Sequence, residues 1–129
     1  MKKRLISPDG GPQAVGPYSP AVAAGGFLFL SGQIPLNPGT GELVKGSFEN
    51  QVRQTLENLK SVAASAGLTL NDVVKVNIFL VDMARFNELN AIYEEYFAES
   101  KPARSCVQAA ALPKGVDVEI EAIACFPDA

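Results

Sequence analysis

The chain has 129 residues, 47% of them hydrophobic and 19% charged, with a net charge of −3. That length and composition fit a single domain with its own core and exclude disordered and fibrous classes. The mild acidity argues against nucleic acid as the principal partner, and the absence of any histidine removes Ser-His and Cys-His nucleophile pairs, histidine-ligated metal sites and the commonest general base.

In chain order, Lys3 to Ser7 is expected to form a short first strand. The basic start Lys2-Lys3-Arg4 runs straight into Ser7-Pro8-Asp9-Gly10-Gly11 with no apolar run behind it, so no signal peptide is expected. The apolar stretches near 21–30 and 73–81 are too short to cross a bilayer, and the expected location is cytoplasmic. The prolines and glycines of 8–20 predict a loop. Ala21–Ala24 and Phe27–Ser31 flank Gly25-Gly26, a two-residue hairpin signal, and residues 35–41 read as a turn region. A helix is predicted from Phe48 to Ala66, capped by Ser47 and stopped by Gly67, with Phe48, Val52, Leu56, Leu59 and Ala63 turned inward.

Val73 to Val81 reads as a strand. Strict alternation sets Val74, Val76, Ile78 and Leu80 on one face, and Val73, Phe79 and Val81 on the other with Lys75 and Asn77. A second helix, Met83 to Ala98 with Asp82 as its cap, turns Phe86, Leu89, Tyr93 and Phe97 inward. Two last strands, Ala103 to Ala110 and Val116 to Cys125, are joined by Leu112-Pro113-Lys114-Gly115. The predicted order is βββαβαββ, an α+β sandwich in one domain over 1–129, with no repeat or linker. Two helices cover one face of such a sheet, yet the strand at 73–81 is apolar on both; the second face therefore predicts packing against other subunits in a homo-oligomer.

No phosphate-binding glycine loop and no metal-ligand cluster occurs in the sequence. Cys106 and Cys125 could bridge in principle, but a domain with an adequate core has no need of a staple, so free thiols are expected. The conspicuous group is Arg104, in Pro102-Ala103-Arg104-Ser105-Cys106-Val107 at the start of a strand. Its position fits a solvated charge or structural ion pair; it also fits a planar fork gripping a carboxylate with two parallel hydrogen bonds. Cys106 is expected on the same face, and with no histidine to take its proton it reads as a small buried residue rather than a nucleophile. Glu119, on the strand expected to pair beside Arg104, is the candidate acid/base, against its plainer reading as an exposed residue on a polar face. Pairing across the 111–115 loop gives 104 and 119 opposite parity, hence opposite faces. A β-bulge, another register or a site shared between subunits would be needed to unite them.

Four motifs in order, Gly16-Pro17-Tyr18-Ser19, Ser31-Gly32-Gln33-Ile34-Pro35, Asn90-Ala91-Ile92-Tyr93 and Pro102-Ala103-Arg104-Ser105-Cys106, followed by Leu112 and Val118-Glu119-Ile120, give the whole chain a resemblance to the reactive intermediate deaminase (RidA/YjgF) family. The resemblance implies a chorismate-mutase-like fold, a homotrimer with sites between subunits, and hydrolysis of imines and enamines released by pyridoxal-phosphate enzymes (2-aminoacrylate, 2-iminobutanoate, 2-iminopropanoate) to 2-oxo acids and ammonia, with no metal and no cofactor. It further implies that Arg104 grips the substrate carboxylate and that Glu119 and the backbone around Cys106 position and activate a water. Tyr18, Ser31, Gly32 and Asn90 would complete the pocket, the first three from a neighbouring subunit. The lead-in Ala98-Glu99-Ser100-Lys101 is shorter and more charged than the family's, which bears on substrate size. Two rivals stand beside this reading: a metabolite-sensing or holdase-type binding protein, which Arg104 would serve equally, and a ribonuclease or translation inhibitor, which the single basic run Lys2-Lys3-Arg4 does not support.

Overall fold

A computed structural model describes residues 2–7 and 16–127. The chain forms a six-stranded sheet from β1 (Arg4–Ile6), β2 (Ala21–Ala24), β3 (Phe27–Gln33), β4 (Val73–Leu80), β5 (Ala103–Gln108) and β6 (Val118–Cys125), with helices α1 (Phe48–Ser65) and α2 (Phe86–Phe97). The order βββαβαββ is the one predicted. The expected loop at 8–20 lies outside the described residues over 8–15. Among the described residues no helix is long and apolar enough to cross a membrane.

Local chemistry accounts for the helix ends. Ser47 Oγ accepts from the Asn50 amide at 3.1 Å, satisfying one of the free N–H groups of the first turn. At the other end Gly67 has φ +79°, which lets its amide and that of Leu68 reach back to the carbonyls of Ala64 and Ala63. Asp82 caps a short 3-10 turn, Met83–Arg85, rather than α2 itself; the helix proper starts at Phe86.

The sheet order is β1-β2-β3-β6-β4-β5. This corrects one expectation: β5 does not pair with β6. The β4–α2–β5 segment is a parallel crossover unit, which sets β5 at the edge beside β4, while β6 inserts antiparallel between β3 and β4. A second correction concerns Val73 and Val74. The register steps from Val73↔Ala124 to Lys75↔Ile123, so two β4 residues oppose one of β6. That bulge turns Val73 into the core and leaves Val74 exposed, the reverse of strict alternation.

Both helices lie on one face. Leu28, Leu30, Val76, Ile78, Leu80, Val118 and Ile120 of the sheet pack with Val52, Leu56, Leu59 and Val62 of α1 and Leu89 and Phe97 of α2 in one buried cluster. The other face carries exposed apolar side chains: Leu5, Phe29 and Val107 are 60%, 44% and 50% accessible. Leu5, Val22, Phe29 and Ile123 are cross-strand neighbours in one row. This is more contiguous apolar surface than scattered single residues give.

Candidate functional site

Register decides where each expected site residue points. Arg104 pairs with Val76 and Cys106 with Ile78, so both face the helix side of the edge strand β5. Glu119 pairs with Phe79, on the open face. The two are therefore on opposite faces of the sheet, with β4 between their strands.

On the helix side, Nη1 of Arg104 donates to Oδ1 of Asn90 at 2.6 Å. Its guanidinium carbon lies 4.8 Å from the ring centre of Tyr93 and 5.5 Å from that of Phe86, within cation–π range. Arg104 is exposed, and among the described residues no carboxylate pairs with it. Arg53 makes the contrast. It lines a groove of about 320 Å³ but is already bound to Glu49 and to both carboxylate oxygens of Glu95. The groove at Arg104 has a volume of about 340 Å³ and is bordered by Asn90, Tyr93, Phe97, Lys101 and Pro102. Lys101, at φ +43°, makes the tight turn that ends α2, its amide donating to the Phe97 carbonyl at 3.0 Å, and delivers Pro102 to β5.

Both cysteines are free. The Cys106 thiol sits 3.9 Å from the Met83 sulfur, and burial holds its pKa above the usual thiol value despite the opposing pull of Arg104. That is the reverse of an activated nucleophile. Tyr93, nearly buried, has a hydroxyl with no hydrogen-bond partner among the described residues. Burial pushes its pKa up to about 12, with Arg104 opposing, so the phenol stays protonated at neutral pH.

On the open side a second group forms around a bulge in β3. The register steps from Leu30↔Ala122 to Gln33↔Ile120, so Ser31 and Gly32 together oppose Glu121. The bulge brings the Gly32 backbone against Glu119: a Cβ on Gly32 would overlap its carboxylate. Glycine thus serves here to allow close approach to the Glu119 side chain rather than an unusual backbone angle. Ser31 Oγ donates to the Ser19 carbonyl at 2.7 Å, and the Ser31 amide donates to the Pro20 carbonyl at 2.9 Å. These bonds tie the segment that carries the half-exposed Tyr18 to the bulge. Burial, then repulsion from Glu121, raises the pKa of Glu119. Glu121 itself accepts from Asn77 Nδ2 at 3.0 Å.

The expected residues therefore fall into two groups in one chain: Arg104, Asn90 and Cys106 on the helix side, and Glu119, Gly32, Ser31 and, through Ser19, Tyr18 on the open side. Phe86, Tyr93 and Glu121 belong to the surroundings of these groups and were not foreseen as such. The sequence signal for the first two is their spacing from Asn90, one helical turn on either side, which reads equally well as core.

Comparison with known proteins identifies the family and the fold. The sequence model of the family described as Endoribonuclease L-PSP matches residues 10–126. A RutC family protein of Pyrococcus horikoshii is 53% identical over 122 residues, covering 95% of this chain and 97% of the relative. Among solved structures, YyfA of Yersinia pestis, of the Rid protein family, is 45% identical with a TM-score of 0.94 and covers 97% of this chain and 100% of that one. Escherichia coli TdcF with bound serine is 42% identical with a TM-score of 0.90, covering 96% and 99%.

Proposed function

Because the chain belongs to the endoribonuclease L-PSP family, the family of the YjgF, Rid and RutC proteins, we propose that it hydrolyses the imines 2-iminopropanoate and 2-iminobutanoate, and the enamine 2-aminoacrylate that tautomerises to the former, to 2-oxo acids and ammonia. The observation that carries the proposal is Arg104, an exposed guanidinium on a groove, braced by Asn90 and two rings and without a carboxylate of its own among the described residues. Such a fork matches a small carboxylate with two parallel hydrogen bonds. The serine held by the relative TdcF is an amino acid with the same α-carboxylate.

In the proposed reaction Glu119 takes a proton from water as the water oxygen attacks the imine carbon, and hands that proton to the imine nitrogen as the C=N double bond opens. Glu119 then relays the hydroxyl proton of the resulting carbinolamine to its nitrogen, the C–N bond breaks to release ammonia, and the C=O bond of the 2-oxo acid forms. A carboxylate raised in pKa suits the step, because it is a stronger base toward the attacking water. Imines hydrolyse unaided in water, so orientation and an acid/base contribution of roughly 10²–10⁴ suffice. Since Arg104 and Glu119 face opposite sides of one sheet, the proposed site joins the Arg104 group of one chain to the Glu119 group of another in a homotrimer. The exposed apolar face supports that assembly.

The test is to generate 2-aminoacrylate or 2-iminobutanoate with an amino-acid dehydratase and follow its decay. Faster decay with the protein, lost in Arg104→Ala, is expected; an unchanged decay rate would sink the reading. A ribonuclease reading fits less well. Lys2 and Arg4 border a cleft of about 210 Å³ beside Gly25-Gly26 and Phe126, at the sheet edge opposite to β5.

A further inference from the structure

Helix α2 meets Arg104 from three positions. Phe86, Asn90 and Tyr93 stand at i, i+4 and i+7 and so share one helix face. Asn90 accepts the hydrogen bond from Nη1, and the two rings flank the guanidinium carbon. The Tyr93 ring is braced in turn by Phe97, with centroids 4.5 Å apart. A long arginine side chain loses much rotamer freedom when its fork is fixed. Contacts that fix it before a ligand arrives lower the ordering cost of binding.

We propose that this face of α2 is a cradle that sets the direction of the Arg104 fork, and that Asn90 and Tyr93 act as positioning residues rather than as contacts to the substrate. The Asn90 side-chain oxygen is occupied by Arg104 itself. The Tyr93 hydroxyl is buried and has no hydrogen-bond partner among the described residues, so it is the ring, and not the oxygen, that meets the guanidinium. The inference rests on the carboxylate-gripping role of Arg104.

Two readouts test it: affinity for 2-oxobutanoate, a stable carboxylate, by calorimetry, and KM and kcat for imine hydrolysis. Asn90→Ala and Tyr93→Leu are each expected to weaken 2-oxobutanoate about five- to tenfold and to raise KM by the same factor, with kcat falling less than about threefold. Tyr93→Phe, which keeps the ring, restores the affinity. In an Arg104→Lys background, whose ammonium has no fork to orient, Asn90→Ala changes affinity by less than about twofold.

Equal damage from Tyr93→Phe and Tyr93→Leu would assign the effect to the hydroxyl and overturn the cradle. So would an undiminished effect of Asn90→Ala in the Arg104→Lys background, or no binding of 2-oxobutanoate by the unaltered protein. If Tyr93→Leu does not fold, the partly exposed Asn90 decides the matter. A protein that binds 2-oxobutanoate in the expected pattern but hydrolyses no imine would leave the cradle standing and remove the deaminase reading alone.

Discussion

The Gly32 backbone runs directly against the Glu119 carboxylate, so closely that a Cβ on Gly32 would lie 2.9 Å from Cδ and 3.1 Å from Cγ of that side chain. The obstacle is the far end of a flexible side chain, and Gly32 is not in the left-handed region of backbone space. Gly32→Ala should therefore fold, with the cost absorbed by rotation of Glu119. The proposed base is then displaced. We expect a loss of stability within about 1 kcal/mol together with a fall in kcat of roughly 10- to 100-fold, a part of the general-base contribution. Thermal melts beside imine-decay kinetics check both; an unaffected kcat would separate Glu119 from the chemistry.

The ionisation of Glu119 gives a pH signature. Burial first, and Glu121 second, raise its pKa above the ordinary value of about 4.3. As a base it acts ionised, so activity is lost as pH falls through the raised pKa. Glu121→Gln removes the second cause, and the acid limb of kcat/KM should move to lower pH without reaching the position of an unburied carboxylate. The stability sign runs the other way. A native pKa above the unfolded one means that the folded chain binds the proton more tightly, so ionising Glu119 opposes folding as pH rises through that range. Glu119→Gln should accordingly stabilise the fold at neutral pH while abolishing turnover. An acid limb unmoved by Glu121→Gln would contradict the proposed coupling.

Sequence periodicity carried the elements but not their lateral order. The caps at Ser47 and Gly67, the hairpin at Gly25-Gly26 and the inward residues of α1 all follow from local rules and reappear in the structure. The pairing of β5 with β4 instead of β6 does not, because strand neighbours are chosen by the crossover through α2 rather than by chain proximity. Both bulges were equally hidden. Alternation counted on from Val73 gives the wrong face for Val73 and Val74, and nothing in Ser31-Gly32 as a sequence announces two residues opposite one. The bulge at Ser31-Gly32 is what brings the backbone to Glu119, so the motif was legible while its geometry was not. Opposite faces for Arg104 and Glu119 were expected from a pairing that does not exist, and hold because β4 shares its register with both strands.

Asn58 links the core to the segment that follows the bulge. It is 1% exposed, donates to the carbonyls of Ile34 and Leu36 at 3.1 and 2.7 Å, and accepts from Gln54 at 2.9 Å. Asn58→Ala strands two backbone acceptors and opens a cavity. We expect a loss of about 2–4 kcal/mol in chemical denaturation. Asn58→Asp should be at least as damaging at neutral pH, since a carboxylate cannot donate to either carbonyl. A change below about 1 kcal/mol for both variants would show that the 34–36 segment is held by other contacts.

The separation of Arg104 from Glu119 yields the sharpest test of a shared site. Arg104→Ala leaves the Glu119 group intact, and Glu119→Gln leaves the Arg104 group intact; each alone should be nearly inactive. If every site takes one group from each of two neighbouring chains, co-refolding the two variants in equal amounts gives about a quarter of the sites both intact halves by random assembly. Activity should then recover to about that fraction of the unaltered protein. If both groups served a site within one chain, no mixture could restore it, and the activity would stay at the mean of the two variants. Phe29→Asp places a charge in the middle of the exposed apolar row formed with Leu5, Val22 and Ile123 and should disrupt assembly. Light scattering should then report the 13.6 kDa single chain, and activity should fall with the Arg104 and Glu119 groups themselves untouched. A fully active monomer would exclude the shared site.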